Sequence, residues 1–159
     1  MKNIYKVKYV DAFYFYNQEC PKIKVKVHEA YGYLTRKKNN IFLEFIKSTR
    51  TRNNKIIKGL IIPNSALISE YMNKKNGFVF RKGSKVSIHW QDVVYVANTI
   101  RQKSSIMYSV GVVFRTADKY VVLKSPETKR IYPKPRIQHP QEQPTYYVIP
   151  KSLIIENHD

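Results

Sequence analysis

Residues 7–17 read VKYVDAFYFYN, and residues 88–98 read IHWQDVVYVAN. Set 81 positions apart, Asp11 falls on Asp92, Tyr14 on Tyr95 and Asn17 on Asn98, with Tyr9 opposite Trp90. Two more blocks recur in the same order. YGYL at 31–34 matches VGVV at 110–113, aligning Gly32 with Gly111, and runs on to Leu43 against Leu123. LIIPNSALI at 60–68 matches YVIPKSLII at 147–155, so Ile62, Pro63, Ser65 and Ile68 return as Ile149, Pro150, Ser152 and Ile155. Three ordered matches at similar spacing indicate two diverged copies of one module. The expected division is residues 1–75 and 76–159, joined through the Lys-, Gly- and Asn-rich stretch Asn73–Lys85.

The blocks have strand character. Tyr5, Val7 and Tyr9 alternate with Lys6 and Lys8, Ile23, Val25 and Val27 with Lys24, Lys26 and His28, and Val86, Ile88 and Trp90 with Ser87, His89 and Gln91. A period of two predicts strands with one wet face. KKNN at 37–40 and TADK at 116–119 each join two apolar runs, as in a β-hairpin. No long segment keeps a helical period, so little helix is expected. Pro63 and Pro150 cannot donate to a ladder and should end their strands, with Ser65 and Ser152 capping one helical turn beyond. Gly32 and Gly111 suit a bulge or a close backbone approach. The chain is expected to be mostly β, as two tandem SH3-like or Sm-like barrels packed together, with OB-like barrels as the alternative. Half of 159 residues is marginal alone, so the copies should pack against each other.

Lys and Arg number 29 against 11 Asp and Glu, giving a net charge of +18 and a pI near 10. Such an excess points to nucleic acid or another polyanion as partner. Of the 29, 21 are Lys; a hydrated point charge suits phosphate better than base edges. The candidate contacts lie in two equivalent stretches read as loops. In the first copy they are Lys47, Arg50, Arg52, Lys55 and Lys58. In the second copy they are Lys124, Lys129, Arg130, Lys134 and Arg136, within the proline-rich 124–144, and Tyr132, Tyr146 and Tyr147 are placed to stack on bases.

Signals for catalysis are few. His28, His89, His139 and His158 lack metal-ligand spacing, and no phosphate-binding glycine loop or nucleophile motif is present. Cys20 is the single cysteine, which excludes an intrachain disulfide and suits a reducing compartment. His89 reads as a solvated strand histidine. Asp11 and Asp92 read as carboxylates that close the bend after their strands by accepting backbone N–H bonds. No enzymatic role, cofactor or metal is expected. No run approaches the ~20 apolar residues of a membrane helix and the N-terminus lacks a secretory pattern, so a cytoplasmic protein without a membrane partner is expected.

The combination of Trp90–Asp92, Ser109–Gly111, Val121–Leu123 and Val148–Ser152, a W-x-D … S-V-G … V-V-L … V-I-P-K-S pattern, resembles small uncharacterised bacteriophage proteins. Those are single modules, whereas this chain carries two, and its first copy departs from the pattern with Tyr9 for the Trp and Ala30-Tyr31 for S-V. The resemblance implies an SH3-like or Sm-like barrel and a host-cytoplasm setting. Two alternatives stand beside nucleic-acid binding: a phage-encoded inhibitor that binds a host enzyme or defence complex, and a sponge for a nucleotide signal.

Overall fold

A computed structural model describes residues 2–50, 56–73, 77–97, 104–135 and 143–158. The chain is mostly β, with eleven described strands and one short helix. The first half supplies β1 (Ile4–Tyr9), β2 (Phe13–Phe15), β3 (His28–Arg36), β4 (Asn40–Arg50), β5 (Ile56–Pro63) and α1 (Ile68–Asn73). The second supplies β6 (Lys85–Asp92), β7 (Val94–Val96), β8 (Ser105–Thr116), β9 (Tyr120–Tyr132), β10 (Tyr146–Pro150) and β11 (Ile154–His158).

These strands make two antiparallel sheets, ordered β1-β3-β4-β5-β7 and β11-β6-β8-β9-β10-β2. The order β1-β3-β4-β5 is answered by β6-β8-β9-β10, as the repeat requires. The second strand of each half, however, sits in the other half's sheet. Phe13–Phe15 pairs with Val148–Tyr146 of β10, and Val94–Val96 pairs with Ile61–Gly59 of β5. The exchange is reciprocal and crosses the division at residue 75. It also corrects the barrel expectation: each sheet is open, because the strand that would follow β1 or β6 within its own half is used by the neighbour.

Burial explains why the exchange holds. Val96 of β7 packs with Phe42 and Ile61, and Phe13 and Phe15 of β2 pack on Val122, Tyr146 and Val148, so each donated strand covers an apolar face. Between the sheets lies one large core, in which Val7, Tyr9, Leu43 and Leu60 join Val86, Trp90, Val121 and Leu123. A half that is marginal alone thus gains its partner's apolar surface.

The turns at 37–40 and 116–119 close as hairpins, with Lys37 N–H bonded to the Asn40 carbonyl at 2.9 Å and Ala117 N–H to that of Tyr120 at 2.9 Å. Pro63 and Pro150 end β5 and β10, and a 3-10 turn follows each, at Asn64–Ala66 and Lys151–Leu153. Each proline occupies the cap position, so neither serine caps. Ser65 Oγ instead donates to Gln91 Oε1 at 2.7 Å, tying the first half's turn to β6. Gly32 is a close-approach glycine, since a Cβ there would stand 2.1 Å from the Glu44 carbonyl oxygen. Gly111 lies at a register shift of β8. The alternating segment 23–27 is the one strand expectation that fails. Ile23 and Val25 pack inward against the cluster around Tyr146, but the segment has no ladder partner. The period of two reports an extended chain over an apolar surface, and pairing is a separate condition. In the linker, Phe80 is buried in the main core.

Candidate functional site

The described parts of the two basic stretches are strand at 47–50, 56–58 and 124–132, where loops were expected. Their described residues extend the strands into arms, and the two arms are paired differently. In the first half, β3 and β4 run in register from Arg36↔Ile41 to Gly32↔Phe45 and then part. After a register shift between Glu44 and Thr49, the outer part of β4 pairs with β5, as Thr49↔Ile57 and Arg50↔Ile56. In the second half, β8 stays with β9 to the end, through Val110↔Glu127, Ser109↔Thr128, Tyr108↔Lys129 and Ile106↔Tyr132.

Side chains account for the difference. Trp90 Nε1–H donates to Ser109 Oγ at 3.0 Å, and Ser109 Oγ is bonded to Thr128 Oγ1 at 2.8 Å. This chain of bonds ties β6 to β8 to β9 through the buried Trp90 and Ser109 and the partly buried Thr128, and the buried N–H and O–H are costly to leave unmade. The corresponding first-half residues are Tyr9, Ala30 and Ser48, and a methyl group at Ala30 breaks the chain. Where β3 and β4 separate lies a cavity of about 480 Å³, lined by Tyr9, Glu29, Ala30, Tyr31, Phe45, Ile46, Lys47, Thr49, Leu60 and Tyr95.

On the first arm Lys47, Arg50 and Lys58 are exposed. On the second, Lys124, Lys129, Arg130 and Lys134 are exposed, with the Lys129 ammonium 5.7 Å from the Tyr108 ring centre and that of Lys124 5.8 Å from Phe114. Among the described residues none of these seven cations is in an ion pair; the ion pairs found are Lys6–Glu29, Lys8–Glu29 and His89–Glu156. Arg52, Lys55 and Arg136 lie outside the described residues. The three tyrosines divide. Tyr132 is 44% exposed at the end of β9. Tyr146 and Tyr147 are 2% and 9% exposed, with Tyr146 against Phe15 and Phe114 and Tyr147 against Trp90 and Tyr14. Their rings belong to the core, because β10 is a central strand covered on both faces.

Asp11 and Asp92 occupy the points where β1 and β6 hand over to the exchanged strands. Asp11 Oδ1 accepts the Ala12 N–H at 2.9 Å, as expected of a bend-closing carboxylate. The sequence reading missed that the two carboxyl groups also meet. The two carboxyls lie close enough to act on each other, with the Val93 N–H beside both. Burial pushes both carboxyls well above the ordinary carboxylate range, and the charge and hydrogen bond of Asp92 add to the rise at Asp11. Two buried carboxyls in contact do not both ionise readily, so the pair keeps a shared proton above the pH at which a free carboxyl loses it. Burial first, and the nearby carboxylates after it, also raise the Tyr147 hydroxyl, and burial with the Tyr95 hydroxyl raises that of Tyr9. The signal was available: two acids at one repeat position, in a basic chain, at a strand exchange.

His89 is half-buried, with its ring 4.9 Å from that of Tyr108 and its Nδ1 3.7 Å from Glu156 Oε2, so it is not the freely solvated histidine expected. Among the described residues, no group of three His, Cys, Asp or Glu side chains could hold a metal ion, and no helix is long and apolar enough to cross a membrane. Comparison with known proteins finds no matching family model, no matching curated protein and no matching solved structure.

Proposed function

We propose that this protein binds nucleic acid without catalysing a reaction, using its two arms to contact phosphates. The observation that carries the reading is the set of seven exposed arm cations without ion pairs among the described residues, in a chain of net charge +18. Unneutralised lysines release counterions from a polyanion when they dock, which favours association and demands no base sequence. Arg50 on β4 and Lys124, Lys129 and Arg130 on β9 sit at paired positions, which fixes their spacing. The Asp11–Asp92 pair is read as a latch on the exchanged strands, because the Ala12 N–H bonds to Asp11 and the two carboxyls meet at the crossing. The repeat and the shared strand order support a duplicated SH3-like or Sm-like module with exchanged second strands. The motif resemblance in the second copy supports a phage protein acting in the host cytoplasm.

Fluorescence anisotropy with single-stranded and duplex oligonucleotides at several salt concentrations tests the reading. Log affinity should fall linearly with log salt, by about 0.7 per contacted phosphate on a single strand and about 0.9 on a duplex. An affinity indifferent to salt would overturn it.

A further inference from the structure

We infer that the cavity between β3 and β4 is a nucleotide site, taking a planar base among its aromatic side chains and a phosphate at Lys47. The inference deepens the nucleic-acid reading and rests on it for the identity of the polymer.

The second half serves as an internal control. There β8 and β9 remain paired, and the fully buried Trp90 indole is tied to both through Ser109 and Thr128. In the first half, Tyr9 and Ala30 supply less bulk and no hydroxyl chain, and β3 and β4 part at Gly32↔Phe45. The resulting 480 Å³ lies within the range of small-ligand pockets, ~300–1,000 Å³.

The lining fixes the chemistry of the occupant. Tyr9, Tyr31, Phe45 and Tyr95 are four aromatic side chains around one space, and Tyr95, on the donated strand β7, is 50% exposed. Stacking on such rings tolerates any sequence, because every base has a flat face. The Lys6 and Lys8 ammonium groups converge on Oε1 of the lining residue Glu29, at 3.3 and 3.8 Å. Lys47 lines the cavity, and Lys6 and Lys8 stand beside its one carboxylate, Glu29, so the local balance is positive. Glu29 Oε2 takes part in neither ion pair and can accept a hydrogen bond from a base amino group. Flat aromatic surface, one acceptor and excess positive charge match a nucleoside phosphate. Lys47 belongs both to the cavity wall and to the first arm, so a strand lying along the arm has a base beside the opening. Because β7 comes from the other half, the site is complete only when the exchange has taken place.

The same chemistry arises from a nucleotide within a strand or from a free one, and two probes separate them. One is a single-stranded oligonucleotide with 2-aminopurine at one end; the other is the 2-aminopurine deoxynucleoside monophosphate. If the base enters the cavity of a bound strand, its fluorescence is quenched on binding. Tyr95→Ala and Lys47→Ala, both at exposed positions, should then weaken binding by roughly five-fold or more, and Tyr95→Ala should abolish the quench at saturation. Lys129→Ala, on the other arm, should weaken strand binding while leaving the quench intact.

A strand that binds with steep salt dependence but is neither quenched nor weakened by Tyr95→Ala refutes the cavity site and leaves the nucleic-acid reading standing. A quenched free nucleotide with no strand binding supports the site, assigns it to a free nucleotide and refutes the nucleic-acid reading. Binding of neither probe refutes both.

Discussion

The outer part of β4 and the outer part of β9 occupy the same place in the repeat, carry the same sign of charge and are held in opposite ways. β9 stays with the strand before it, β8, whereas β4 leaves β3 and pairs with the strand after it, β5. Two sequences that share a fold can therefore differ in which neighbour an arm follows, and the choice turns on a few buried groups. A continuous hydrogen-bonded chain, Trp90–Ser109–Thr128, closes one seam. Its absence at Tyr9, Ala30 and Ser48 opens the other and leaves a space with aromatic walls and Lys47 in its lining.

The contrast breaks most severely at its largest side chain. Trp90→Ala removes a fully buried indole and the head of the hydrogen-bonded chain, and should cost ~3–5 kcal/mol in denaturant unfolding. Tyr9→Ala should cost less, because its ring already borders empty space. Equal losses would mean that the two seams are packed alike.

A smaller change isolates the hydroxyl. Ser109→Ala keeps the packing but leaves the Trp90 N–H buried without an acceptor, at a cost of ~1–3 kcal/mol. An unfolding midpoint unmoved by Ser109→Ala would remove the explanation given for the closed seam.

The crossing of the exchanged strands should be sensitive to pH. Both Asp11 and Asp92 titrate above the ordinary carboxylate range, so the folded chain holds their protons more tightly than the unfolded chain does. Their contribution to stability is therefore full below about pH 4, the ordinary carboxylate value, and is lost as pH rises through the raised range of the pair. Asp11→Asn keeps a neutral, near-isosteric group there. It should leave Tm almost unchanged at about pH 5 and raise it at about pH 8.5 by ~2–4 °C for each kcal/mol relieved. The same shift at both pH values would contradict the shared proton.

Much of this architecture was legible in the residues. The repeat placed Asp11 with Asp92 and Tyr14 with Tyr95, and the alternation and turn chemistry located most strands. Pro63 and Pro150 marked two strand ends because a missing donor is a local property. The strand exchange was not legible, because pairing β2 with its own sheet or with its neighbour's satisfies the same pattern of apolar residues. The burial of Tyr146 and Tyr147 escaped for a related reason: their strand reads as the end of a basic, proline-rich stretch, and only the sheet order makes it central. The cavity depended on an absence, a missing hydroxyl at Ala30, which carries meaning only beside Ser109 in the other copy.

Residue-resolved amide hydrogen exchange tests the difference between the two arms most directly. Residues 106–110 of β8, paired on both sides, should be protected throughout, whereas within 28–31 of β3 only the amides directed at β1 should be protected and those directed at the cavity should exchange rapidly. Uniform slow exchange across 28–31, matching 106–110, would mean that β3 and β4 are joined there, and the open seam would not exist.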